Sequence, residues 1–361
     1  MNLNEFKDKL QEEWSEKFIK SGLCGLVHIA PRVGKSRLAL KIASKIKAKK
    51  ILIVYPDNKI KNSWLKDIEE INFICNITYT TYLSLYKHIN EYDFVIFDEL
   101  HASSEAQREV IKNIIKINNR WIGMSGSFSK DTIIALNQYF KAKVIIDYSI
   151  EQAINDNIIS NYEIHVVTCK LDDKILTANK AGKMISEKKR CDNYTWVIEN
   201  LKKQGKPTFI LALARMRLIQ GSIAKINKTR ELLEKFKNER VLIFSGLTKT
   251  ANQFGATVHH SKNENEEEFK KFSNAISKFN HLSVVKIGNS GVTFKNLDKV
   301  ILNYFDSNEE STAQKICRCL LLEEDSNKIS HIYIICSDES FEQQWLKKSL
   351  KMFKQNKIHY E

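Results

Sequence analysis

The chain has 361 residues, 43% of them hydrophobic, which is ample for a folded protein and long for one core, so two domains are expected. Its formal net charge of +14 suits a polyanionic partner and argues against a strongly basic one. No apolar stretch nears the ~20 residues that cross a bilayer, and Met1-Asn2-Leu3-Asn4-Glu5 lacks a signal-peptide shape, so no membrane role is expected.

From residue 25 to 145, short apolar runs alternate with amphipathic stretches. The runs predict strands at Leu26–Ala30, Ile51–Tyr55, Cys75–Thr78, Phe94–Phe97 and Trp121–Met124. Apolar residues at three- and four-residue spacing predict helices over Lys35–Ile46, Asn58–Ile71, Leu83–Ile89 and Glu105–Ile117. Fully apolar strands alternating with helices mean a parallel sheet covered on both faces, with its ligand site beyond the carboxyl ends of the strands. A boundary is expected near 145–162, dividing the chain into 1–150 and 151–361. The second half repeats the alternation with strands at Ile164–Thr168, Val241–Phe244, Ala256–His259, Leu282–Ile287, Val300–Asn303 and His331–Cys336. Before Val241, residues 174–238 read as a helical segment, with basic and apolar residues interleaved at Arg215-Met216-Arg217-Leu218; a plain amphipathic helix pair is the simplest reading. Seven scattered cysteines without C-x-x-C spacing read as reduced thiols of a cytoplasmic protein.

Two groups at strand ends carry chemistry. Ala30-Pro31-Arg32-Val33-Gly34-Lys35-Ser36 follows the first strand, and Asp98-Glu99-Leu100-His101 follows the fourth. A Gly-Lys-Ser loop can place an ammonium on phosphates and a hydroxyl on Mg²⁺, while an acidic residue at a neighbouring strand end holds the same metal. Ile29 stands where the full phosphate-loop pattern has its first glycine. Each half recurs by chance; together, in strand context, they point to a magnesium–nucleotide site.

Further elements fall in a definite order: Leu10-Gln11-Glu12-Glu13-Trp14, then Ile51–Pro56, Thr80-Thr81-Tyr82, Met124-Ser125-Gly126-Ser127, Val241–Ser245, Gly288-Asn289-Ser290-Gly291-Val292-Thr293 and Gln314-Lys315-Ile316-Cys317-Arg318. This series resembles the motif set of superfamily 2 helicases. It is similar above all to compact, phage-type, DEAH-like helicases related to restriction-enzyme and fork-remodelling translocases. The resemblance implies an α/β fold of two tandem RecA-like domains, each a parallel sheet with helices on both faces, and an ATP cleft between them. It implies ATP and Mg²⁺ as cofactors, with Gln11 reading adenine, Arg32, Gly34, Lys35 and Ser36 cradling phosphates, and Ser36 and Asp98 serving the metal. Glu99 would orient and deprotonate the attacking water. Gln314 and Arg318 would complete the catalytic set by stabilising charge on the γ-phosphate. His101, Ser125, Gly126 and Ser127 would couple nucleotide to movement. Pro56, Thr80, Thr81, Ser245, Gly291 and Thr293 would touch a nucleic-acid backbone, DNA rather than RNA, without reading its sequence. Replication or recombination proteins would be partners.

Each role has a plainer competitor. Gln11 could be mere surface on an acidic helix, Ser125-Gly126-Ser127 an ordinary turn, and the threonines and Ser245 strand-end caps; Trp64 reads as core. The last motif departs from its usual Gln-x-x-Gly-Arg-x-x-Arg, with Cys317 for glycine and Leu321 for the final arginine, so hydrolysis is expected to be slow unless Arg318 or Lys315 suffices. The leading expectation is an ATP-driven helicase or translocase acting in replication, recombination or repair. The alternative is a nucleotide-gated DNA clamp that hydrolyses poorly.

Overall fold

The computed structural model describes residues 3–178, 182–254, 258–259, 265–285, 294–297, 299–322 and 328–361. Two compact units divide the chain after Ser160. The first contains α1 (Leu3–Lys20), β1 (Cys24–Ile29), α2 (Lys35–Lys45), β2 (Lys50–Tyr55), α3 (Lys61–Glu70), β3 (Asn76–Thr81), β4 (Phe94–Phe97), α4 (Glu105–Ile117), β5 (Trp121–Ser125), α5 (Lys130–Phe140), β6 (Val144–Tyr148) and α6 (Ile150–Asn155). Its strands form a parallel sheet in the order β3-β2-β4-β5-β1-β6. The central strands carry no polar alternation because both faces are covered: every residue of β4 and β5 is buried, as is β2 after Lys50. Serine caps start α4, α5 and α6, with complete capping boxes at Ser104–Gln107 and Ser149–Gln152.

Two expectations fail in this unit. Leu83–Ile89 has helical spacing but folds only as a 3₁₀ turn at Leu85–Lys87, leaving Leu83 and Tyr86 in solvent. Only Leu85 of that run finds the core, too few apolar anchors to hold a helix on the sheet. The predicted strand Cys75–Thr78 lies three residues further on at its end, so Thr80 and Thr81 are its last residues. β6 had no counterpart in the pattern reading.

The second unit contains β7 (Asn161–Cys169), β8 (Leu176–Ala178), β9 (Met184–Ser186), α7 (Glu187–Lys203), α8 (Phe209–Gln220), α9 (Ile223–Lys235), β10 (Val241–Ser245), α10 (Thr248–Ala251), β11 (Val258–His259), α11 (Glu266–Ser273), β12 (His281–Val285), β13 (Lys299–Leu302), α12 (Glu309–Ile316), β14 (Ile329–Ser337), α13 (Ser340–Ser349) and β15 (Ile358–Tyr360). Among the described residues its main sheet runs β11-β12-β10-β13-β14-β7-β15, all parallel. The segment 174–238 is not a helix pair. It opens with an antiparallel ribbon, β8 against β9, and continues as three helices. α9 packs Leu232, Leu233 and Phe236 onto Val167, Ile243, Ile301 and Ile335. Two parallel sheets clad in helices make the chain an α/β protein of tandem RecA-like units.

Candidate functional site

The loop after β1 is built for an anion. Arg32 and Gly34 adopt left-handed φ of 71° and 105°. No side chain caps α2 and no acid sits in its first turn, so its N-terminal amides face the loop without a competing carboxylate. The φ of Gly34 calls for glycine, and a Cβ there would lie 2.5 Å from Gln11 Nε2 and displace that side chain. Gln11 is not surface. It is 4% exposed, and its amide donates to the carbonyls of Val33 and Gly34 at 3.4 and 3.5 Å. Lys7 Nζ adds a bond to the Arg32 carbonyl at 3.3 Å, so α1 braces the loop from outside.

Lys35 Nζ forms an ion pair and hydrogen bond with Glu99 Oε1. Glu99 is itself left-handed, with φ 47° and ψ 50°, a costly conformation for a non-glycine residue that turns its carboxylate toward the loop. Its other oxygen accepts from Ser125 Oγ at 3.2 Å and lies 3.4 Å from His101 Nδ1, which in turn meets Ser125 Oγ at 2.8 Å. Ser127 N donates to Ser125 Oγ at 3.1 Å. Ser127 Oγ is buried without a hydrogen-bond partner among the described residues. A Cβ on Gly126 would lie 3.0 Å from Pro31 Cγ and 3.3 Å from Lys35 Nζ, so this turn runs close against the lysine. Thus Lys35, Glu99, His101, Ser125 and Gly126 meet in one place.

Asp98 sits beside them, 6% exposed. Its Oδ2 accepts from Trp64 Nε1 at 3.0 Å, its Oδ1 from the Glu99 amide at 3.0 Å, and its carbonyl from Tyr82 OH at 2.9 Å. Burial raises its pKa to about 6 against the pull of the Lys35 ammonium. Burial also opposes ionisation of Glu99, but Lys35 and then His101 outweigh it, and Glu99 stays well below the carboxylate range. Pattern reading missed Trp64 and Tyr82. Trp64 is core, as expected, yet its indole N–H is spent on the candidate metal carboxylate, which spacing cannot reveal.

The donor set fits Mg²⁺ rather than a protein-caged metal. Among the described residues no group of three or more His, Cys, Asp or Glu could hold an ion. One carboxylate and one loop hydroxyl suit a cation that keeps several waters and takes phosphate oxygens. Ser36 supplies the hydroxyl, hydrogen-bonded here to Asp67. Trp64→Phe keeps the ring and removes the donor to Asp98. It is expected to weaken Mg²⁺-dependent nucleotide binding about tenfold, read by Mg²⁺ titration of a fluorescent nucleotide. An unchanged Mg²⁺ midpoint would show that Asp98 needs no such orienting bond.

The other candidates are placed each within its own unit. Thr80 is 5% exposed with its hydroxyl turned to the Thr81 carbonyl at 3.4 Å, while Thr81 and Pro56 are half-buried at strand ends. Ser245 is buried, 3.4 Å from Ser283 Oγ. Gln314 lies half-buried on α12, and Arg318, also half-buried, follows it. Lys315 is buried with its ammonium 4.2 Å above the Tyr304 ring, and desolvation lowers its pKa. It is a poor stand-in for a phosphate-reaching arginine. Cys317 caps α12 with right-handed φ of −63°, so no glycine is needed there. Gly291 and Thr293 lie outside the described residues.

A family model described as "Helicase conserved C-terminal domain" matches residues 224–320. The curated protein DNA 3'-5' translocase XPB2 of Sulfurisphaera tokodaii is 23% identical over 317 residues, covering 74% of this chain and 69% of that protein. Among solved structures, a fragment of an HsdR subunit of a type I restriction enzyme from Vibrio vulnificus YJ016 aligns with TM-score 0.63 and 15% identity, over 97% of this chain and 67% of that one. The ATP-dependent Type ISP restriction-modification enzyme LlaBIII bound to DNA aligns over the whole chain with TM-score 0.61 and 13% identity. This chain spans 31% of that enzyme's length. A helicase C-terminal domain is matched in the second unit, and the first unit carries the Lys35–Glu99–Asp98 constellation; together with the translocase relative these make the chain similar to the helicases of superfamily 2.

Proposed function

We propose that this protein is an ATP-dependent helicase or translocase that moves along DNA. The observation that carries the proposal is the Lys35–Glu99 ion pair, braced by Ser125 and His101, beside the buried Asp98. Phosphates arriving on the loop draw Lys35 away from Glu99. Freed of the ammonium that holds its pKa down, Glu99 becomes a stronger base while Ser125 and His101 keep its far oxygen in place. Asp98 and Ser36 would hold Mg²⁺, whose charge neutralises phosphate oxygens. We assign Gln11 to the adenine edge, Arg32 and the Gly34–Ser36 backbone to phosphates, and Gln314 and Arg318 to charge developing on the γ-phosphate. With Leu321 in the last motif position, Arg318 is the arginine that segment offers, and turnover is expected to be slow.

We further assign Pro56, Thr80, Thr81, Ser245, Gly291 and Thr293 to the DNA backbone. The domains are taken as 1–150 for nucleotide binding and 151–361 for the second motor half. A compact DEAH-like motor of bacterial or phage type, working in the cytoplasm with replication or recombination partners, fits the Asp-Glu-Leu-His box and the scattered cysteine pattern. No helix among the described residues is long and apolar enough to cross a membrane. The test is steady-state ATP hydrolysis by the full chain with and without single-stranded DNA. Stimulation of about tenfold or more, absent in Lys35→Ala, is expected; hydrolysis indifferent to DNA would overturn the motor reading and leave a nucleotide-gated clamp.

A further inference from the structure

The α7–α8 hairpin is anchored at its base and bare at its tip. At the base, Arg215 lies 3.7 Å over the Phe341 ring and bonds Thr195 Oγ1 at 3.0 Å. Nearby, the Glu187 carboxylate accepts from the amides of Asp172, Ile223 and Ala224. At the tip, Phe209 and Ile210 open α8 and are 75% and 80% exposed. Side chains apolar on every face of a helix belong in a core; here the sequence Phe-Ile-Leu-Ala-Leu-Ala projects its first two into solvent.

Charge says what would cover them. From Asn200 to Arg230 the sequence contains no Asp or Glu, and Lys202, Lys203 and Lys206 stand exposed around the turn. No side chain caps α8 and no acid sits in its first turn, so the helix dipole adds positive potential at the same point. An apolar pair flanked by three exposed lysines fits a ligand that is polyanionic and has open apolar faces. Duplex offers the phosphates with its faces stacked away; a strand with unpaired bases offers both. We propose that this tip is a second nucleic-acid site, where Phe209 and Ile210 pack against unpaired bases and the three lysines hold the flanking phosphates. The site rests on the DNA-motor reading and gives it a specific substrate feature, the single strand or the junction where strands part.

The experiment uses the full chain and fluorescence anisotropy on a labelled single strand, a forked duplex and a blunt duplex. Phe209→Ala/Ile210→Ala is expected to raise Kd about tenfold for single strand and fork and to leave blunt duplex within twofold. With 2-aminopurine at the fork's first unpaired position, the wild type changes its emission and this variant does not. Lys202→Gln/Lys203→Gln/Lys206→Gln weakens binding to all three DNAs and lowers the single-strand salt slope by about 2. Equal loss on blunt duplex, or no loss on any DNA the wild type binds, would overturn the site. So would intact strand affinity in an apolar variant that sediments as monomer where the wild type is a dimer, since the tip would then join two copies. Failure of the wild type to bind any of the DNAs would instead sink the motor reading itself, and this site with it.

Discussion

Glu99→Gln is expected to lower kcat for ATP hydrolysis by about 10²–10⁴-fold while nucleotide binding tightens severalfold. The two effects have one origin. In the ligand-free protein the Glu99 carboxylate competes with phosphate for Lys35 Nζ. An amide can neither take a proton from water nor neutralise the ammonium, so Glu99→Gln holds the lysine less tightly before phosphate arrives. The side chain keeps its shape, and its second atom still faces Ser125 and His101. Single-turnover hydrolysis and a fluorescent-nucleotide titration separate the two. A kcat within threefold of wild type would place the base elsewhere, and weakened binding would show that the ion pair does not oppose nucleotide entry.

The largest expected loss of stability comes from a buried ion pair. Lys225 and Glu342 form an ion pair in the second unit, their side chains 1% and 3% exposed. Glu342 also accepts from the Ser337 amide at 2.7 Å and the Ser337 hydroxyl at 2.5 Å, which ties α9, β14 and α13 together. Lys225→Ala leaves a buried carboxylate without its counter-charge and should cost about 3–5 kcal/mol. Lys225→Met paired with Glu342→Gln removes both charges at similar volume and should restore most of that. Denaturant unfolding followed by circular dichroism checks both; a loss below about 1 kcal/mol for Lys225→Ala would mean Glu342 finds another partner or water. A lone lysine in an amphipathic helix gives no hint of this pairing, since its partner is 117 residues away.

What was legible followed from burial on two faces. β2, β4, β5 and β10 are apolar runs apart from Lys50, Ser125 and Ser245 at their ends, as strands covered on both sides must be. The phosphate loop and acidic box were legible because their chemistry needs particular side chains at strand ends. Residues whose part is played through one hydrogen bond were not. Trp64 and Tyr82 reach Asp98 with a single indole N–H and a single phenol O–H, and the rest of each ring is ordinary core. Leu83–Ile89 misled because three apolar residues at helical spacing say nothing of whether a partner surface exists. The edge strands β6 and β15 are short and partly exposed, so neither a continuous apolar run nor a clean alternation marks them.

The place of β7 bears on how the protein is made. Its two neighbours in the sheet are β14 and β15, with Asn161 paired to Ile329 and Ile164 to Ile358. At a synthesis rate of about 5–20 residues per second, the ribosome takes roughly 10–40 s to deliver those partners after β7 has emerged. Through that interval a nine-residue strand has neither edge satisfied. Glu163 and His165, which alternate with its buried residues, are the nascent chain's own protection against pairing with a stranger.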